Sequence, residues 1–134
     1  MKSNKKTLQV ACALLVDKGK VLLAQRDESR FNAGLWEFPG GKLEDGETGK
    51  QAIKRELEEE LNLTDLEYHY YCTVFHEYPT FNLEMDAFIA DVDPKDVLLK
   101  EHTAARWMLF KDVWGLPLAP ADVTVAQVIL ESVI

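Results

Sequence analysis

Residues 40–63 read GGKLEDGETGKQAIKRELEEELNL, two adjacent glycines followed by an acidic loop and an amphipathic segment. No other stretch limits the possible folds so strongly. Thr48 offers an N-cap oxygen, and Ile53, Leu57 and Leu61 recur every four residues. Asn62 tolerates the left-handed conformation that closes a helix, so residues 48–61 are predicted to be helical. At about 100° per residue, Glu56, Glu59 and Glu60 share one flank beside the apolar stripe, whereas Glu58 points elsewhere and is expected to be solvated. Like charges on one flank repel, and desolvation of Glu60 beside the stripe adds cost unless a cation offsets it. Oxygen-only ligands suit Mg²⁺, with Mn²⁺ as the alternative. The same residues also read as a solvated charge run, with Arg55 as a simple ion-pair partner of Glu59. The context favours a site: an aromatic strand, Trp36-Glu37-Phe38, feeds Pro39-Gly40-Gly41, which is expected to end it and bring backbone groups near the carboxylates.

Elsewhere the chain alternates apolar runs with turn signals. Residues 8–16 and 21–25 are predicted as paired strands joined by Asp17-Lys18-Gly19-Lys20, and residues 26–35 as a loop. The basic start followed by an apolar run imitates a signal peptide, but Gln9 interrupts it and a first strand is the better reading. Further strands are expected at residues 67–76, 81–92 and 105–110, with a Pro-containing turn at 115–120 and a closing helix at 121–132. Asp91, Asp93 and Asp96 enclose Pro94 and lack the glycine and distal glutamate of a calcium loop, so they read as a surface turn. Trp107, Trp114, Tyr70, Tyr71 and Phe75 are expected in the core, one of them free to stack on a planar ligand. His69, His76 and His102 have no metal-ligand spacing. Strands, helix, strands, helix predicts one α+β domain over residues 1–134, a mixed sheet with helices on both faces.

Charge narrows the partners. With 15 Lys+Arg against 23 Asp+Glu the net charge is −8, which disfavours a binder of nucleic-acid backbone. With 47% hydrophobic residues a real core is possible, and no apolar run is long enough to span a bilayer, so no membrane partner is expected. Cys12 and Cys72 lack CxxC spacing and read as reduced thiols of a cytoplasmic protein.

Gly41, five residues, Glu47, seven residues and then Arg55-Glu56-Leu57-Glu58-Glu59-Glu60 resembles the Nudix box, here spanning about residues 41–63. Asn62 stands where that family usually has Gly, a position Asn also tolerates. Leu22-Leu23-Ala24-Gln25-Arg26 and residues 34–42 resemble the MutT-type subgroup, and residues 116–122 are similar to the tail of its CTP pyrophosphohydrolase branch. The resemblance implies the Nudix fold, a mixed β-sheet sandwiched between α-helices. It also implies Mg²⁺-dependent hydrolysis of a nucleoside triphosphate to the monophosphate and diphosphate, with cytidine or oxidised purine nucleotides as leading substrates. Carried over residue by residue, Glu56, Glu59, Glu60 and the Gly40 carbonyl would hold the metal. Arg55 would orient the carboxylates, Gly41 would permit the loop turn, and Glu47 would fix the loop against the helix. Arg26 would meet phosphate, with Phe38 and Lys42 also on the substrate side. Glu101 would be a general base or a further ligand. Asp122 would face the edge of the base, against the simpler reading of an acid near a helix N-terminus. An ionised Asp122 only accepts hydrogen bonds; protonated by burial it also donates. Hydrolysis of another nucleoside diphosphate derivative, such as a nucleotide sugar, and a non-catalytic nucleotide-binding module are the alternatives. The retained box carboxylates favour catalysis, and both monomer and homodimer stay open.

Overall fold

The computed structural model describes residues 5–27, 33–100 and 104–132. Helix α1 (Gly49–Leu61) begins after Thr48, whose hydroxyl accepts the Gln51 N–H while the Gln51 side chain accepts the Thr48 N–H. This reciprocal pairing satisfies two donors that a helix start leaves orphaned. Asn62 closes the helix at φ 59° and donates its N–H to the Glu58 carbonyl. Ala52, Ile53, Leu57 and Leu61 are buried, as the period-four stripe requires.

Seven strands among the described residues form one mixed sheet: β1 (Lys6–Asp17), β2 (Lys20–Gln25), β3 (Trp36–Glu37), β4 (Gly40–Lys42), β5 (His69–Glu77), β6 (Phe81–Asp91) and β7 (Ala104–Leu109). Their order is β3-β2-β1-β6-β5, with β4 also on β1 and β7 also on β2. Strands β1 and β6 run parallel from Lys6↔Phe81 to Val16↔Asp91. The β1–β2 turn places Lys18 and Gly19 at φ 48° and 80°, the double positive φ that a two-residue hairpin needs. Period-two alternation then divides the core between two helices. Cys12, Leu14, Met85 and Ala87 pack with Val125 and Ile129 of α2 (Pro120–Ser132), while Ala11, Ala13, Leu15 and Phe88 pack with Ile53, Leu57 and Leu61 of α1. This is the expected sheet between helices.

Several local expectations are corrected. Gly40 and Gly41 do not end the strand structure; after a break at Phe38 and Pro39 they form β4, paired as Cys12↔Gly40 and Ala11↔Gly41. Phe110–Gly115 is a 3₁₀ turn that periodicity does not reveal. Tyr70, Phe75 and Trp114 are exposed rather than in the core, while Tyr71 and Trp107 are half-buried. The aspartate cluster is a surface turn: Asp93 caps the short 3₁₀ helix Pro94–Asp96 through the Lys95 N–H. No helix among the described residues is long and apolar enough to cross a membrane.

Candidate functional site

Arg55 is the centre of the box. Its Nε and Nη2 donate to the two Glu47 carboxylate oxygens at 2.9 Å each, a fork-to-fork pairing. Nη2 also reaches the Lys42 carbonyl at 2.8 Å, Nη1 reaches Glu56 Oε1 at 2.8 Å, and Nε approaches Glu44 Oε1 at 2.8 Å. Glu59, the partner expected from helix spacing alone, is farther at 3.5 Å. Arg55 thus binds the 42–47 loop to α1 and holds the Glu56 carboxylate. Glu47 is held down at about 2, first by the Arg55 hydrogen bond and then by the Glu44 N–H. Arg55 itself is pushed up, chiefly by Glu47.

The glycines act by close approach. A Cβ on Gly41 would lie 2.4 Å from Glu56 Cδ, and one on Gly40 only 2.0 Å from the Ala11 carbonyl oxygen. Gly41 lies in a strand and not at a positive φ, so its expected role in a turn is corrected: it makes room for the Glu56 carboxylate. Glu60 has 0% exposure, whereas Glu58 and Glu59 are exposed. A fully buried carboxylate, a second one seated in a glycine cradle, and a third exposed beside them make an all-oxygen set that suits a hard divalent cation. The three do not already converge, since among the described residues no three Asp, Glu, His or Cys are grouped closely enough to enclose an ion. Lys42 is exposed at the end of β4, with its carbonyl taken by Arg55.

A second cluster lies where β2, β3 and α2 meet. Arg26 Nη1 forms a salt bridge to Glu37 Oε1, and the Arg26 backbone is tied to the next loop by its N–H to the Leu35 carbonyl at 3.0 Å. The Phe38 N–H donates to Asp122 Oδ1 at 2.9 Å. The Phe38 ring itself is buried in the core, so its side chain does not line a substrate surface; its backbone carries the contact. Asp122 is buried, and its carboxyl is pushed well above the usual range, first by desolvation and then by the Glu37 charge. Glu101 and His102 lie outside the described residues; the neighbouring Lys100 N–H donates to the Glu60 carbonyl at 2.9 Å.

Glu37 and Glu44 escaped sequence reasoning. Glu37 carried one usable signal: alternation in Trp36-Glu37-Phe38 sends an acidic side chain to the face opposite two aromatics. Glu44 carried none, because only the folded loop brings it to Arg55.

Residues 5–130 match the NUDIX domain family. The chain belongs to that family. Among curated Nudix relatives, the CTP pyrophosphohydrolase of Escherichia coli K12 is 34% identical over 91% of this chain and 90% of its own length. The 8-oxo-dGTP diphosphatase of Proteus vulgaris is 40% identical over 64% of this chain and 78% of its own. Among solved structures, the MutT protein of Methanosarcina mazei Go1 superposes with a TM-score of 0.81 at 29% identity, covering 93% of each chain. The Nudix fold expected from the box is therefore the fold found, and this Nudix chain is a hydrolase of a family that generally needs a divalent metal.

Proposed function

We propose that residues 1–134 act as a single Mg²⁺-dependent nucleoside triphosphate pyrophosphohydrolase, converting a (d)NTP and water to (d)NMP and diphosphate. Cytidine nucleotides and oxidised purine nucleotides are the favoured substrates, in keeping with what the two curated relatives act on by name. The observation that carries this reading is the box itself: Glu60 fully buried, Glu56 seated against Gly41 and Glu59 exposed, all on α1. In this reading Glu56, Glu59, Glu60 and the Gly40 carbonyl hold the metal. Bound there, the ion offsets triphosphate charge that a net −8 chain would repel and polarises a phosphoryl oxygen. Arg55 keeps Glu56 aimed at the site and locks the loop through Glu47. Arg26 and Lys42 meet the phosphates, Asp122 and the Phe38 backbone the base, and Glu101 serves as general base or further ligand. The acidic charge favours a free nucleotide over nucleic acid as partner.

A diphosphate-release screen over normal, methylated and oxidised nucleotides in Mg²⁺ tests the reading. Release of diphosphate and monophosphate from one or more (d)NTPs, abolished by chelator, is expected. Turnover of nucleotide sugars with every triphosphate inert, or no turnover at all, contradicts it.

A further inference from the structure

Gly41 of β4, Ala11 of β1, Asp86 of β6 and Thr73 of β5 stand in one row across the sheet, each paired with the next. Helix α1 meets this row by close approach at two points. At one, Glu56 of the helix sits over Gly41 of the sheet, where an added Cβ would lie 2.4 Å from Glu56 Cδ. At the other the roles are exchanged, and Gly49 of the helix sits over Asp86 of the sheet. A Cβ on Gly49 would lie 2.6 Å from Asp86 Oδ2, 3.2 Å from Phe88 Cε2 and 3.3 Å from Asp86 Cβ. Helix and sheet agree in scale. Gly49 and Glu56 are seven residues apart, within about 20° of two full turns, so they share a face and are separated by a rise of about 10.5 Å. Strands β4 and β6 flank β1, and two interstrand spacings come to about 9.6 Å.

Asp86 is held where it stands. Its Oδ1 accepts the Thr73 hydroxyl at 2.6 Å, and the Tyr70 hydroxyl lies 2.7 Å from the Thr73 oxygen. Thr73 has one hydroxyl proton and gives it to Asp86, so Tyr70 donates to Thr73 and the chain of hydrogen bonds has one direction. The first turn of α1 carries no acid of its own, and Asp86 brings to it from another strand the negative charge that a helix start favours.

We propose that Asp86 and Gly49 form a seat that sets where α1 lies on the sheet and so keeps Glu56 in the Gly41 cradle. This rests on the reading of Glu56 as a ligand to a divalent ion given under Proposed function. Arg55 fixes the direction of the Glu56 carboxylate from the loop side; the seat fixes the helix that carries it. Asp86 acts through α1 and is a positioning residue.

Gly49→Ala separates the seat from helix stability. By propensity alone Ala favours α1 over Gly, so a merely structural Gly49 predicts unchanged metal binding. With Asp86 tied to Thr73 and Phe88 close by, the seat instead requires α1 to shift. The Mg²⁺ Kd from calorimetry then rises about tenfold or more, and the Gly41 amide resonance of the metal-free protein moves. Asp86→Ala empties the seat and also raises Kd. Combined with Gly49→Ala it makes room for the new methyl group, so the double variant binds Mg²⁺ more tightly than Gly49→Ala alone. Thr48→Ala weakens the helix start without touching the seat, and leaves both Kd and the Gly41 resonance unchanged. Should Gly49→Ala fail to fold, Thr73→Val releases Asp86 with little change in shape, and must raise Kd and move the Gly41 resonance. A seat variant with wild-type Kd and an unmoved Gly41 resonance, additive losses in the double variant, or a Thr48→Ala as impaired in Mg²⁺ binding as Gly49→Ala overturns the proposal. If the wild-type chain binds no Mg²⁺, Proposed function fails, while the Gly41 resonance of the metal-free protein still decides the seat.

Discussion

Gly40 and Gly41 are adjacent, yet one added methyl group would injure different things at each. At Gly40 the new carbon meets backbone, the Ala11 carbonyl oxygen at 2.0 Å and Cys12 Cα at 2.7 Å, and neither can move without disturbing β1. Gly40→Ala should destabilise the fold by about 3 kcal/mol or more, read as a large fall in Tm. At Gly41 the carbon meets the flexible end of Glu56, so Gly41→Ala should keep most of the stability and lose turnover. Equal Tm losses with intact kcat at Gly41 would contradict that division. The sequence showed two glycines before an acidic loop but could not show which contact each makes possible, because Ala11 and Glu56 approach only in the folded sheet. The acids divide by sign as well. Glu47 falls from about 4.5 unfolded to about 2 folded, so its contribution to stability is complete above pH 4.5 and is lost as pH drops towards 2. Denaturant titrations should show Glu47→Gln removing part of that acid loss. Asp122 shifts upward, so its contribution is present below pH 3.8 and is lost as pH rises through the folded value. Asp122→Asn should therefore flatten the decline in stability above about pH 4.

Helix α1 was legible because its signals are local: Thr48, the Ile53/Leu57/Leu61 spacing and Asn62 all act within a few residues. Thr48→Ala should cost about 1 kcal/mol in chemical denaturation by removing the hydroxyl that accepts the Gln51 N–H. An unchanged midpoint would show that the cap contributes nothing. Strand β4 was not legible. It has three residues and exists through pairing with Val10, Ala11 and Cys12, a long-range contact that no local pattern encodes. The same reason hid the Glu37–Arg26 pair, since strand β3 has two residues and its register comes from β2. Box spacing placed Glu56, Glu59 and Glu60 on one flank, but the degree of separation, Glu60 fully buried and Glu59 exposed, depends on what α1 packs against.

At the scale of the molecule, helices on both faces of a mixed sheet followed from the element order, strands, helix, strands, helix; alternation along β1 and β6 then sends successive residues to opposite clusters. Exposure of Tyr70 and Phe75 did not follow, because β5 is an outer strand of the sheet and aromatic content alone does not say which strand ends there. If the acidic flank of α1 holds a divalent ion, Mg²⁺ should raise the Tm by binding the folded state preferentially. The most direct test of the central claim compares kcat at saturating Mg²⁺ for Glu60→Gln, Glu59→Gln and Glu58→Gln. All three lie on one helical turn and lose one charge, so the formal charge change and helix propensity are matched, and Glu59 and Glu58 are matched in exposure as well. Loss of a charged ligand to the ion predicts kcat reduced about 100-fold or more in the first two, with Glu58→Gln close to wild type. Near-wild-type kcat in both Glu59→Gln and Glu60→Gln, or an equal loss in all three, would contradict a metal site on this helix.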